Sequence, residues 1–220
     1  MIVDILHLFL RVSDKLFELL YRNIEQLDRG WKTDIKDNKN LYYYVNVLES
    51  LNIKKPYYKD GSSFKFRNFN GDERNKIFQN MNFEKFFPQM KNSNLKQEVW
   101  DSFYDLMYDI KDELTSSVEV KSKTKIWFDK FLQITFKLST IPYIHIMISH
   151  LFQQVDSLKS KGLYINSFSM QGIEKLNDFT TQYYQRSSNK KSNFIWQVLQ
   201  KRSRKEILDH HADLLSLLNV

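Results

Sequence analysis

Five glycines and three prolines punctuate 220 residues, too few for an all-β sandwich or barrel, whose strands turn every ~8 to 12 residues. The uninterrupted stretches suit helices, and the apolar pattern follows suit. From residue 2 to 29 the side chains of Ile2, Ile5, Leu6, Phe9, Val12, Leu16, Leu19, Leu20, Ile24 and Leu27 recur at helical spacing, sustained over about seven turns. Leu8, Leu10 and Phe17 fall off that stripe, which predicts a core helix with neighbours on more than one side, stopped at Gly30. The 17 Phe, 12 Tyr and 4 Trp can offset the entropy of ordering, so intrinsic disorder is excluded. With no cysteine, a disulfide framework, a thiolate nucleophile and a cysteine-ligated zinc are excluded within the chain.

The remaining pattern predicts a helix near Leu41 to Leu51, halted before Lys55-Pro56. Asp60-Gly61 ahead of Phe64, Phe66 and Phe69 carries the one β signal, a short strand or hairpin. Asn70-Gly71-Asp72-Glu73 reads as a turn followed by acidic first-turn residues, which predicts a helix from about 72 to 81, followed by a short one near Phe83 to Phe87. Longer helices are predicted over 94–114, 123–138 and 142–158, with Pro142 in a first turn and Gly162 as the next break, and further ones near 170–186 and 193–216. The expected fold is therefore all-α, an irregular multi-helix single domain over 1–220 with no central sheet. The apolar run from Ile2 to Leu10 has no basic segment before it and is interrupted by Arg11, Asp14, Lys15 and Glu18. A membrane span needs ~20 apolar residues, so the expectation is a soluble intracellular chain without membrane contact.

His145 and His150 have a spacing found in paired zinc histidines, although it equally suits two ordinary hydrogen-bonded or exposed residues. Five residues advance about 500° on a straight helix, which leaves the imidazoles about 140° apart, so one ion can take both only where the helix bends or ends. His210 and His211 are sequence neighbours and read as surface residues. Glu174 and Asn177 share a helix face behind Gly172, where a solvated face is the simpler reading. Two-metal chemistry needs several carboxylates, and no phosphate loop, nucleophile elbow or His-Glu-x-x-His motif occurs. Of the net charge of +7, most is carried by Arg186, Lys190, Lys191, Lys201, Arg202, Arg204 and Lys205. That run is the best candidate anion-binding and DNA-binding face, although a merely solvated surface is the simpler reading, with Tyr183, Tyr184 and Trp196 available either for stacking on bases or for a core. Residues 201–205 also fit a nuclear import signal.

Several landmarks fall in the order seen in one family. Tyr143-Ile144-His145 with His150, a linker ending near Phe168-Ser169, Gly172-Ile173-Glu174-Lys175-Leu176-Asn177 and the basic run through Arg186 together resemble the C-terminal part of the V(D)J recombinase catalytic subunit and its Transib-type DDE transposase relatives. Asp4-Ile5-Leu6-His7, Asn70-Gly71 and Trp100 to Met107 are similar, more loosely, to pieces of the helical insertion between that family's second and third catalytic acids. The resemblance implies that Glu174 is a remnant of the last catalytic metal ligand, supported by Asn177, and that His145 and His150 are half of a zinc site. It implies Mg and Zn for a full-length relative, DNA as partner, and a nuclear location.

The family's RNase H-like sheet, its first two aspartates and its zinc cysteines have no counterpart in this chain. The resulting expectation is a transposon-derived fragment of a DDE recombinase, catalytically incomplete, with no cofactor in the isolated chain and with DNA or another chain as partner. Its competitor is a stand-alone helical protein-interaction module. An intact enzyme of another type ranks last, since no second catalytic group can be named.

Overall fold

A computed structural model of the protein describes residues 4–135 and 142–165. The chain divides between Ser169 and Met170 into two units, and all the described residues belong to the first. In order they form α1 (Ile5–Leu27), a 3-10 turn (Ile35–Asp37), α2 (Lys39–Ser50), β1 (Tyr57–Asp60), β2 (Ser63–Phe66), α3 (Gly71–Asn80), α4 (Phe83–Phe86), α5 (Ser93–Asp109), α6 (Ser117–Ile134), α7 (Pro142–Ser149) and α8 (Leu151–Lys159). The protein is mostly helical, and the single hairpin is the only sheet among the described residues. None of the described helices is long and apolar enough to cross a membrane.

Asp4 starts α1, its carboxylate accepting from the Leu6 N–H at 3.1 Å and pairing with His7. The helix is buried on more than one side, because Leu8 and Phe17 are as inaccessible as the main stripe, and it touches α2, α5 and α7. Its end follows the glycine rule. Gly30 takes φ +84° and its N–H donates to the Glu25 carbonyl at 2.9 Å. The buried Asp28 carboxylate then serves α2, accepting from the Asn40 N–H at 2.9 Å, the Asn40 side chain at 2.8 Å and the Leu41 N–H at 3.0 Å. Those amides are among the four that a helix start leaves without intrahelical acceptors, so an acid from the preceding helix caps the next one.

The hairpin forms where Asp60-Gly61 predicts it, antiparallel from Tyr57 opposite Phe66 to Asp60 opposite Ser63. Phe66 stacks on Tyr21 with ring centres 3.9 Å apart, which fastens the hairpin to α1. Asn70 and Glu73 close a reciprocal capping box at the start of α3. The Arg67 guanidinium grips the same Glu73 at 2.8 and 2.5 Å and holds its carboxyl below the usual range. Arg74, one residue later, is buried. It donates to the Phe69 carbonyl at 2.8 Å and the Leu10 carbonyl at 2.9 Å, and pairs with Asp14 at 2.7 Å.

The core is aromatic where α1, α3 and α5 meet. Phe78 lies 4.8 Å from Trp100, and Phe17 meets the Trp100 edge at 5.3 Å. On α6, fully buried Trp127 stacks on Phe131 at 4.8 Å and donates its indole N–H to the Val99 carbonyl at 3.0 Å.

Four predicted boundaries are corrected, one of them the end expected at residue 138, since α6 stops at Ile134, where Thr135 turns extended. The helix expected to reach residue 114 ends at Asp109, because Asp112 turns the chain by accepting from the Leu114 N–H at 2.9 Å while Thr115 donates to the Asp109 carbonyl at 2.7 Å. Leu114, the residue at which the helix was expected to end, is 87 % exposed. The next helix begins at Ser117 rather than residue 123, since the Ser116 hydroxyl accepts from the Glu119 N–H at 3.1 Å. The helix predicted over 142–158 is two helices, α7 and α8. The helices expected near 170–186 and 193–216 lie outside the described residues.

Two buried phenol oxygens, on Tyr21 and Tyr44, have no hydrogen-bond partner among the described residues. Burial pushes both phenols well above their ordinary value. Tyr44→Phe removes an unsatisfied hydroxyl and is expected to leave stability unchanged or raise it by about 1 kcal/mol. The sign of the pH effect follows from linkage. The unfolded chain ionises its tyrosines near pH 10 while the folded chain keeps these two protonated, so their contribution is complete below pH ~10 and is lost as the pH rises further. Each phenol should steepen the fall by about 1.4 kcal/mol per pH unit. Urea unfolding at pH 9 and above should show a shallower fall for Tyr44→Phe than for the parent chain; equal slopes refute the assignment.

Candidate metal centre: a histidine pair at a helix kink

Pro142 opens α7, where its missing N–H costs nothing. Ile144 and Met147 bury one face of the helix, leaving His145 exposed. The helix contacts α1 and α6, and α8 contacts α6, so both arms of the kink rest on the core. The kink itself is at His150, whose dihedrals of φ −127° and ψ −22° leave the helical region. The chain stays hydrogen-bonded through it. The His150 N–H donates to the Ile146 carbonyl at 2.9 Å, and the Gln154 N–H donates to the His150 carbonyl at 3.1 Å.

The kink removes the separation that a straight helix imposes. The rings of His145 and His150 lie with centres 5.2 Å apart and planes at 82°. Two imidazoles on one tetrahedral zinc, with Zn–N distances of ~2.0 to 2.1 Å, place their ring centres about 5 Å apart. Each Nδ1 also has a neighbour: the Ser149 hydroxyl lies 3.4 Å from Nδ1 of His145, and the Gln153 side-chain carbonyl oxygen lies 3.3 Å from Nδ1 of His150. A partner at one ring nitrogen fixes the ring and leaves the other, Nε2, for a ligand.

Two histidines supply only half of the ligands that a tetrahedral zinc ion takes. Among the described residues no group of three or more His, Asp or Glu comes together, and the chain has no cysteine. Among the described residues, the donors at this place therefore amount to two neutral imidazoles. Glu174 and Asn177 lie outside the described residues, as do Arg186, Lys190, Lys191, Lys201, Arg202, Arg204 and Lys205.

The sequence reading missed Lys96. Its side chain is buried, donating to the Asn23 side-chain oxygen at 3.0 Å and the Lys91 carbonyl at 2.6 Å, and burial lowers the pKa of the amine. It borders a cavity of about 500 Å³ between α1, the Gln89–Asn92 turn, the start of α5 and the end of α6. The signal was present, because Lys96 occupies the apolar stripe continued by Val99, Trp100 and Phe103. Its partner was not legible, since Asn23 lies on another helix. No family model matches this chain, and neither a curated protein nor a solved structure matches it.

Proposed function

We propose that the chain is a transposon-derived helical fragment, similar to the C-terminal part of the V(D)J recombinase catalytic subunit and Transib transposases, which binds DNA without cutting or joining it. The observation in support is the kink at His150, which brings His145 and His150 to a ring separation suited to one zinc ion. In that reading Glu174 is a metal-ligand remnant beside Asn177. A single carboxylate does not hold the ion pair of two-metal phosphoryl transfer, so magnesium is expected to elicit no strand cleavage.

Two imidazoles leave half the tetrahedron to water, and the isolated chain is expected to bind zinc weakly. Metal analysis of tag-free protein after dialysis should find far less than one zinc per chain. Stoichiometric zinc would mean that other donors complete the site.

DNA binding is assigned to Arg186, Lys190, Lys191, Lys201, Arg202, Arg204 and Lys205, and is expected to be non-specific and salt-sensitive. Each phosphate contact contributes about 0.9 to the slope of log affinity against log salt. Replacing Lys190, Lys191, Arg202 and Arg204 together by Gln should flatten that slope by about 3 to 4. Duplex binding titrated across a salt series decides the matter, and an unchanged slope rejects the DNA face.

The second reading, a stand-alone protein-interaction module in which that charge is incidental, is favoured by exposed apolar side chains around the α5–α6 connection. Tyr108, Leu114, Val118 and Ile126 are all more than half exposed, and Tyr108 and Ile126 border a common cavity. Absence of DNA binding even at low salt would select this reading.

A further inference from the structure

We propose that the cavity beside Lys96 is a binding site for a small organic oxyanion, a phosphorylated or carboxylated molecule whose charged group pairs with the Lys96 ammonium. Lys96 is only 8 % exposed, and a buried cation is normally paired, since isolation in a poorly polarisable environment is costly. Its two acceptors, the Asn23 amide oxygen and the Lys91 carbonyl, are both neutral. An ammonium carries three donors, so one N–H has no protein acceptor among the described residues. Among the described residues no carboxylate borders the cavity, and the second charge at its edge is another cation, Lys91.

The surroundings add to this imbalance. Side chains on a helix lean towards its N-terminus, so Lys96 brings positive charge to the positive end of α5, whose first turn contains no acidic residue and whose start has no side-chain cap. An anion in the cavity would offset both. The amine's lowered pKa is the response expected of a lysine that lacks such a counter-ion.

The size and remaining lining define the ligand class further. About 500 Å³ falls in the range of small-molecule pockets, ~300 to 1,000 Å³, and exceeds what a bare inorganic ion needs. Gln26, Gln89 and Asn92 present side-chain amides at the rim that make no hydrogen bond among the described residues, and Leu27, Met90 and Ile134 supply apolar wall. Amides both donate and accept, so they suit a body rich in hydrogen-bonding groups, such as a base or sugar.

Calorimetric titration of the full chain at low ionic strength with adenosine 5′-monophosphate, inorganic phosphate and succinate tests the proposal. At least one organic anion should bind with a Kd below about 1 mM, more tightly than inorganic phosphate, and Lys96→Gln should weaken it by about tenfold or more. Preference for the nucleotide identifies a phosphate ligand, and preference for succinate a carboxylate. Should Lys96→Gln fail to fold, the NMR shift of the Lys96 ε-carbon in the parent chain answers the same question. A shift on saturation with the bound anion supports the site. No binding by any of the three below about 10 mM, undiminished binding in Lys96→Gln, or an unmoved Lys96 resonance overturns it.

Discussion

Trp127→Ala is expected to lower the free energy of unfolding by about 3 to 5 kcal/mol, the range for truncating a large aromatic in a packed core. Trp127 is fully buried, stacks on Phe131 and lies 5.9 Å from the Phe103 ring. Removing the indole opens a cavity between α5 and α6 and takes a donor from the Val99 carbonyl. The effect should reach the histidines, because α6 is the helix that touches both α7 and α8. Trp127→Phe keeps most of the volume and loses the N–H, so its cost should be about half as great or less. Chemical denaturation of the two variants, with the His145 and His150 imidazole resonances followed in parallel, measures both consequences. A Trp127→Ala midpoint equal to that of the parent chain refutes this account of the core.

Arg74→Met is expected to cost about 3 kcal/mol, the lower part of the range for removing one member of a buried charged cluster. Methionine preserves much of the stem and discards the guanidinium, so the loss reports on polar contacts more than on packing. Three of them go together: the charged donors to the Leu10 and Phe69 carbonyls and the ion pair with Asp14. The stacking of the guanidinium over Phe17, 5.6 Å from the ring centre, goes as well. Asp14 is 39 % exposed and can regain water, so Asp14→Asn should cost well under half as much. Equal losses for the two variants would mean that the ion pair, rather than the carbonyl contacts, holds α3 to α1.

These two residues mark the boundary between what can be read locally and what cannot. The long first helix, its stop at Gly30, the helix that follows the Asn70-Gly71 turn and the Asp60-Gly61 hairpin turn were all legible, because each depends on residues within one or two turns of chain. Leu8 and Phe17 even announced that α1 would be buried on two sides. The end of α5 was not read correctly, since apolar spacing continues through Leu114 while the chain is turned by the Asp112 and Thr115 side chains. Ser116 and Glu119 were a local signal overlooked.

By itself the sequence determined that this protein is helical, that its aromatic side chains suffice for a folded core, and that two histidines recur at a spacing compatible with a metal if the helix bends. Only the tertiary structure decided that it does bend, with α7 resting on α1 and α6 and α8 on α6. Likewise only packing joined Asn23 to Lys96 and Leu10 to Arg74, pairs far apart in the chain whose meeting no periodicity encodes. The physical reason is one of range. Caps, turns and helical faces arise from the geometry of neighbouring residues, whereas a kink, a cavity and a buried charge arise from how whole helices share one core.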